Sequence, residues 1–357
     1  MEACFPFLGV RKRRVPPPPV EGDPHHRNIA AAARTFSFEE LVEATRNFRD
    51  EYLVAGREPR VYRGRLKSVN QLVAMKLQHL VDRNNVSTEQ RNSEFLARVL
   101  MLNALRHPNL VNLIGFCADG NHRILVHEYL PLGSLEDHLH DPSPDKGRLD
   151  WSTRMNIAAD VARGLEYLHG KGVVYRYLRS SDVLLGVGDG HHYPKLSQYE
   201  LAKDGQLLDG IREARDFPCT IAPETAMCGK VYRSSDVYSF GVVLLEMITG
   251  RRPFSPQAAE EDRDLVKWVL AHKIAASCQF GHDCCDVLVL DQARTLLEDR
   301  VEFRRMADPA LQGRYPSLGL KEALTVASMC IHQDPAMRSP IGAVVTDLAR
   351  LAYDRSS

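Results

Sequence analysis

Hydrophobic periodicity changes along this chain of 357 residues. Between positions 53 and 80 the β-branched and aromatic residues Val54, Val61, Tyr62 and Val73, punctuated by Gly56 and Gly64, predict strands joined by turns. A helical period follows. Phe95, Val99, Leu102 and Leu105 recur at three- and four-residue steps, which predicts an amphipathic helix over 94–105. Positions 110–117 and 124–129 read as further strands. Beyond Leu132 helical patterns take over, at 151–169, 236–249, 264–275, 320–331 and 341–351. Ser37 precedes Phe38-Glu39-Glu40-Leu41, with Glu40 three residues on, a capping-box signature for a short helix ending near Phe48. Strands in front and helices behind predict an α+β, two-lobed architecture, with lobes at 35–130 and 131–352 and tails at 1–34 and 353–357.

The first tail carries Arg11-Lys12-Arg13-Arg14, a proline run at 16–19 and an alanine patch, a composition that buries little and reads as flexible. The rest is an ordinary globular mixture, 44% hydrophobic and 26% charged. Lys+Arg and Asp+Glu both number 46, so there is no global field to attract nucleic acid. Eight cysteines at irregular spacings do not resemble a secreted disulfide framework, which argues for a reducing, cytoplasmic compartment. The most apolar run, 240–248, is broken by Glu246 and falls far short of a membrane span. The first ten residues are apolar, but their basic cluster follows rather than precedes them, the wrong order for a secretory signal.

Four landmarks stand in order: Val73-Ala74-Met75-Lys76, Tyr175-Arg176, Ala222-Pro223-Glu224 and Ser235-Asp236-Val237-Tyr238-Ser239-Phe240-Gly241. Together they resemble those of a eukaryotic protein kinase. The stretches 36–41, 107–117, 131–140 and 327–331 further resemble the plant receptor-like cytoplasmic kinases of the class VII kind, an immune-signalling family, and the likeness covers roughly residues 35–352. The resemblance implies a bilobal protein-kinase fold with ATP between the lobes and phosphoryl transfer to Ser or Thr. That reaction needs a glycine-rich phosphate cradle, a lysine held by a helix glutamate, two metal ligands and a base for the hydroxyl proton.

Most of these positions have changed. Aligned on Arg60-Val61-Tyr62, the glycine turn reads Val54-Ala55-Gly56-Arg57-Glu58-Pro59. Only Gly56 survives, Pro59 has no N–H to donate, and Glu58 puts negative charge where phosphate approaches. Lys76 is retained, but the family's helix glutamate falls at Arg98, and two cations 4 Å apart repel by about 4 kcal/mol at an effective dielectric near 20. Glu94, one turn earlier, is the alternative partner for Arg98 or for Lys76. In the loop Tyr175-Arg176-Tyr177-Leu178-Arg179-Ser180-Ser181-Asp182, Tyr177 stands at the base position, and a phenol with a reference pKa of about 10 is a poor acceptor at neutral pH. Arg179 replaces the loop lysine, and Asp182 replaces the metal-binding asparagine as a weak candidate ligand. Gln198-Tyr199-Glu200 stands where the family has D-F-G, so the metal aspartate becomes the neutral Gln198. Phe217 takes the position of a substrate-side threonine, and Thr220 is the segment's one Ser/Thr hydroxyl between 198 and 224.

The positions implied to hold the fold persist. Glu224 and Arg338 are expected to form a buried ion pair, and Asp236 to tie the catalytic loop to the central helix. Leu102, Leu113, Tyr175 and Tyr199 match the apolar spine. The spacing from Trp268 to Asp308 is 40 residues, an excess that reads as an insertion near 275–295. Its Cys278, His282, Cys284 and Cys285 match none of the usual zinc spacings, and free thiols on a loop are the plainer reading.

These residues lead to a pseudokinase: an interaction or scaffold module for receptor kinases or active cytoplasmic kinases, with no nucleic-acid partner. The alternative is a slow ATP-dependent Ser/Thr kinase using Lys76 and Asp182, and the bland one a decaying gene product. Adenine would be walled by Val54, Val61, Ala74 and Leu184 beside a hinge running from Glu128 to Leu130, with His127 just before it. Weak ATP binding at this site and at Lys76, with no Mg²⁺ site, is the expectation. Met1-Glu2 excludes N-myristoylation, so membrane contact is expected to be peripheral, through acylated Cys4 and Arg11 to Arg14.

Overall fold

A computed structural model describes residues 33–55, 60–68, 70–78, 87–141, 147–188, 190–197, 202–203, 205–206, 219–278 and 303–353. Gly56 to Pro59, Gln198 to Glu200, Phe217, Cys4, the basic tail and the zinc-reading residues beyond Cys278 lie outside the described residues. The chain divides into two compact units. The first takes residues up to 126 except 72–74 and 105–112, and the second takes those two stretches and everything from 127.

The first unit is built on a six-stranded sheet. Strand β1 (Arg34–Thr35) precedes helix α1 (Phe38–Ala44), then come β2 (Leu53–Ala55), β3 (Val61–Leu66), β4 (Gln71–Leu77), helix α2 (Thr88–Ala104), β5 (Leu113–Cys117) and β6 (Ile124–Glu128). The sheet order is β1-β5-β6-β4-β3-β2. The pairing of β1 with β5 is parallel, Arg34 opposite Gly115, and a Cβ at Gly115 would lie 2.2 Å from the Arg34 carbonyl oxygen. That glycine admits a strand where composition suggests the end of a flexible tail. Arg34, on the tail side of the expected boundary, thus lies in a strand, and Ala33 is buried.

Ser37 caps α1, its Oγ accepting the Glu40 N–H at 3.2 Å. The helix stops at Ala44, short of Phe48. Thr45 is the reason: its hydroxyl donates to the Leu41 carbonyl at 2.8 Å and accepts the Phe48 N–H at 3.0 Å, and such side-chain bonding competes with the helical ladder. Arg46, Asn47 and Phe48 then turn through positive φ, which aims the Phe48 ring at Tyr62, 5.3 Å between centroids. Helix α2 starts six residues before the expected 94, because its polar first turns carry no apolar period to read.

The second unit is helical apart from small hairpins. It contains α3 (Leu135–His140), α4 (Trp151–Gly170), β7 (Val173–Val174), β8 (Val183–Gly188), β9 (His191–Leu196), β10 (Ala202–Lys203), α5 (Pro223–Cys228), α6 (Arg233–Thr249), α7 (Leu265–Cys278), α8 (Ser317–Cys330) and α9 (Ile341–Tyr353). β8 pairs antiparallel with β9, and β7 with β10. Every residue of α6 from Ser235 to Thr249 is buried, the signature of a helix at the centre of its unit. A Cβ at Gly241 would lie 2.6 Å from the Cys330 Cβ, so α8 packs directly on its backbone. α6 ends at Gly250 (φ 66°), and beside it Arg154 and Asp308 form a buried ion pair at 2.7 Å. The architecture is α+β, with a strand-rich first unit and a helical second. Among the described residues no helix is long and apolar enough to cross a membrane.

Candidate functional site

Helix α6 presents Asp236, Ser239 and Glu246 at spacings of three and seven, which brings them to one face. The loop after β7 is fastened to that face. Asp236, fully buried, accepts the Tyr175 N–H at 2.7 Å on Oδ2, the Arg176 N–H at 2.8 Å on Oδ1 and a His169 Nε2 bond at 2.9 Å. The Ser239 Oγ accepts the Leu178 N–H at 3.3 Å. Glu246 Oε2 accepts the Ser180 hydroxyl at 2.8 Å and His140 Nε2 at 2.9 Å. Burial pushes both carboxyls above their ordinary values, against the pull of His169 and two backbone N–H groups on Asp236 and of His140 and Ser180 on Glu246. Arg176 sits at φ +88°, a left-handed conformation costly for a side-chain-bearing residue, and the Asp236 bonds to its own N–H and to that of Tyr175 hold it there.

Tyr177 lies between Arg176 and Leu178, whose N–H groups are both tied to α6, so the half-buried phenol projects from a fixed backbone. The loop then makes a tight turn over Ser180–Asp182 and enters β8. Asp182, with a side chain 5% exposed, accepts the Arg179 N–H at 3.1 Å and pairs with its guanidinium, Nε to Oδ2 at 3.4 Å and Nη2 to Oδ1 at 3.4 Å. Its carbonyl accepts both the N–H (2.8 Å) and the hydroxyl (2.9 Å) of Ser197, and the Tyr175 hydroxyl donates to the Ser197 carbonyl. The β8–β9 hairpin makes this possible by pairing Val183 with Leu196.

Glu128 at the end of β6 gathers a second cluster. Its Oε1 accepts the Asn112 N–H at 2.7 Å, the Asn112 side-chain amide at 2.8 Å and the Lys195 ammonium at 2.7 Å, while its own N–H donates to the Asn112 carbonyl at 3.1 Å. Leu130 is buried, and Leu184 on β8 faces Lys195 in register. Thr220 is 3% exposed, which removes the segment's Ser/Thr hydroxyl from ready modification. Next to it the Cys219 thiol is pushed up to about 12 by burial and by Asp264. Glu224 and Arg338 form the expected pair, two-pronged at 2.7 and 2.8 Å. Burial opposes ionisation of Glu224, but bonds from Arg338 and Ser235 outweigh it and hold the carboxyl below its ordinary value.

In the first unit, Lys76 is half-buried on β4. Arg98 on α2 donates from Nη1 to Gln78 Oε1 at 2.8 Å, and Gln90 donates to the Glu94 carboxylate at 3.4 Å. Val54 lies on β2, 48% exposed, beside a register shift between Leu53 and Ala55, and Val61 opens β3 opposite Ala55. Ala74 is on β4, in the stretch that groups with the second unit. The structure thus joins Arg179 to Asp182 and Glu128 to Lys195, and it joins Arg98 to Gln78.

Residues 49–308 match the family model for protein tyrosine and serine/threonine kinases. The chain belongs to the protein kinase family. It is 51% identical over 341 residues to serine/threonine-protein kinase PBL27 of Arabidopsis thaliana, covering 94% of this chain and 59% of that protein. It is 49% identical over 330 residues to probable serine/threonine-protein kinase PBL7 of the same plant (90% and 79%), and 48% identical over 335 residues to serine/threonine-protein kinase PBS1 (91% and 66%). The chain therefore spans 59% of the length of the first of these relatives. It is a plant kinase-family chain of the PBS1/PBL receptor-like cytoplasmic type.

For a kinase-family chain the groups expected to meet ATP and Mg²⁺ can be tested against this geometry. Asp182 is not arranged as a metal ligand, because both carboxylate oxygens face the guanidinium of Arg179. Among the described residues no three His, Cys, Asp or Glu side chains cluster to hold a metal ion. The amino-acid sequence alone did not mark the Glu128–Lys195–Asn112 cluster or the Ser180–Glu246–His140 bonds. Glu246 did leave a signal, a charge inside an apolar run.

Proposed function

We propose that this chain is a pseudokinase that keeps the kinase fold as an interaction or scaffold module in plant receptor-kinase signalling of the immune type. What supports the reading most is Tyr177: a phenol stands where the base belongs, on a loop whose backbone is anchored on both sides. Loss of a positioned base lowers the rate by roughly 100- to 10,000-fold, against a typical kinase turnover of about 1–100 per second. The exchanges at Arg98 and Gln198 act in the same direction. Adenine nucleotide binds weakly, through Lys76, Val54, Val61, Ala74, Leu184 and the backbone from Glu128 to Leu130, with little dependence on Mg²⁺. Receptor kinases or active cytoplasmic kinases are the partners, the residues 35–130 and 131–352 act as its lobes, and the location is cytoplasmic with a minor peripheral membrane fraction.

The test is phosphate transfer from radiolabelled ATP, with Mg²⁺ or Mn²⁺, to the protein itself and to a general protein substrate. No incorporation above a control without protein is expected. Turnover that disappears in Lys76→Ala would establish the competing reading, a slow Ser/Thr kinase, which the kinase names of relatives near 50% identity favour.

A further inference from the structure

Arg179 and Asp182 are exchanged together. The resemblance sets a lysine and a neutral asparagine at these positions, whereas this chain has a fork-shaped cation and, three residues on, a carboxylate. Residues Ser180–Asp182 form a 3₁₀ turn that Arg179 precedes, which stacks positions three apart over one another. There Arg179 uses Nε and Nη2 on the two carboxylate oxygens, 3.4 Å each, and its backbone N–H adds a third bond at 3.1 Å. A lysine, a single ammonium point, does not span both oxygens. The carboxylate cannot swing away easily, because the Asp182 carbonyl is tied twice to Ser197 and the side chain is 5% exposed.

We propose that Arg179 is the built-in counter-ion of Asp182, an internal cation that takes the carboxylate in place of a divalent metal and clamps the start of β8. A metal ion drawn to Asp182 would have to displace the guanidinium or sit against its positive charge. The exchange of a neutral amide for an acid at 182 is then a gain of a structural ion pair, not the survival of a metal ligand. Arg179 is a positioning residue whose effect is to make this position indifferent to Mg²⁺ and Mn²⁺. The inference sharpens the proposed function at one position, yet it is tested without nucleotide or phosphate transfer.

The experiment is titration of the purified full chain with Mn²⁺ alone, following free Mn²⁺ by electron paramagnetic resonance, alongside thermal denaturation. Wild type and Asp182→Asn are expected to bind Mn²⁺ alike. Arg179→Met is expected to bind Mn²⁺ at least about tenfold more tightly, and the gain should vanish in the Arg179→Met/Asp182→Asn double variant. Arg179→Lys, which keeps the charge without the fork, should fall between and serves if the Met variant does not fold. In denaturation, the double variant should lose no more than the worse single variant, the behaviour of coupled partners. The proposal is overturned if wild-type Mn²⁺ binding is lost in Asp182→Asn, if neither Arg179 variant gains affinity, or if the thermal losses simply add. Phosphate transfer by a chain whose Mn²⁺ binding ignores Asp182 would refute the pseudokinase reading and leave this one standing.

Discussion

The buried face of α6 and the loop fastened to it are a few ångströms apart and hold their side chains for different purposes. On the α6 side, Asp236, Ser239 and Glu246 are acceptors for backbone N–H groups, a hydroxyl and imidazoles. Each is needed for a buried donor to be satisfied, and the loop cannot keep its path without them. On the loop side, Tyr177, Arg179 and Asp182 project from that path, and their exchange from the family pattern leaves the backbone bonds intact. A scaffold and the chemistry it carries can therefore part company: the first depends on acceptors met by main chain, and on the loop side only Asp182, which accepts the Arg179 N–H, shares that duty.

The comparison breaks most directly at Asp236. Asp236→Ala removes the acceptor for two backbone N–H groups and His169 and releases the strained Arg176, so a loss of about 3–5 kcal/mol is expected in urea denaturation. A loss under 1 kcal/mol would mean that the loop does not need α6.

The Glu224–Arg338 pair sharpens the same point through pH. Its folded-state value for Glu224 lies below the ordinary 4.5, so folding releases a proton as that carboxyl ionises. The stabilisation is complete above about pH 4.5 and is lost as pH falls through the depressed value. Arg338→Met, which strands the carboxylate, is expected to cost about 3 kcal/mol at pH 7 and to recover part of that deficit relative to wild type as the pH is lowered below 4.5. A deficit that is flat from pH 7 to pH 3 would show that the pair does not govern acid stability; thermal melts across this range are the measurement.

The smallest expected effect is on the loop side. Tyr177→Asp restores a carboxylate at the base position but leaves Gln198, Phe217 and the Arg179–Asp182 pair, so transfer of radiolabelled phosphate should remain at the level of a control without protein. Measurable turnover from this one change would show that the remaining exchanges matter little.

Periodicity and spacing already carried the two-part architecture, because apolar steps of three and four and β-branched clusters are local signals that burial then uses. The landmark motifs around Lys76, Tyr175, Glu224 and Asp236 were equally legible, since they stand in order along the chain. The end of α1 was not, because the Thr45 hydroxyl competes with the helix through bonds to Leu41 and Phe48 that no apolar pattern marks. Nor was β1, whose parallel partner β5 lies about eighty residues away and depends on the missing side chain of Gly115.

What the amino-acid order determined by itself was therefore the two-part architecture and the order of the kinase-like landmarks, both properties of residue type at a given spacing. Only the tertiary structure decided which partners these charged side chains meet: Arg98 meets Gln78, Arg179 meets Asp182 and Lys195 meets Glu128. A charged side chain has several partners within reach along the sequence, and the choice among them is made by burial and by which carboxylate or amide the fold brings within about 3 Å.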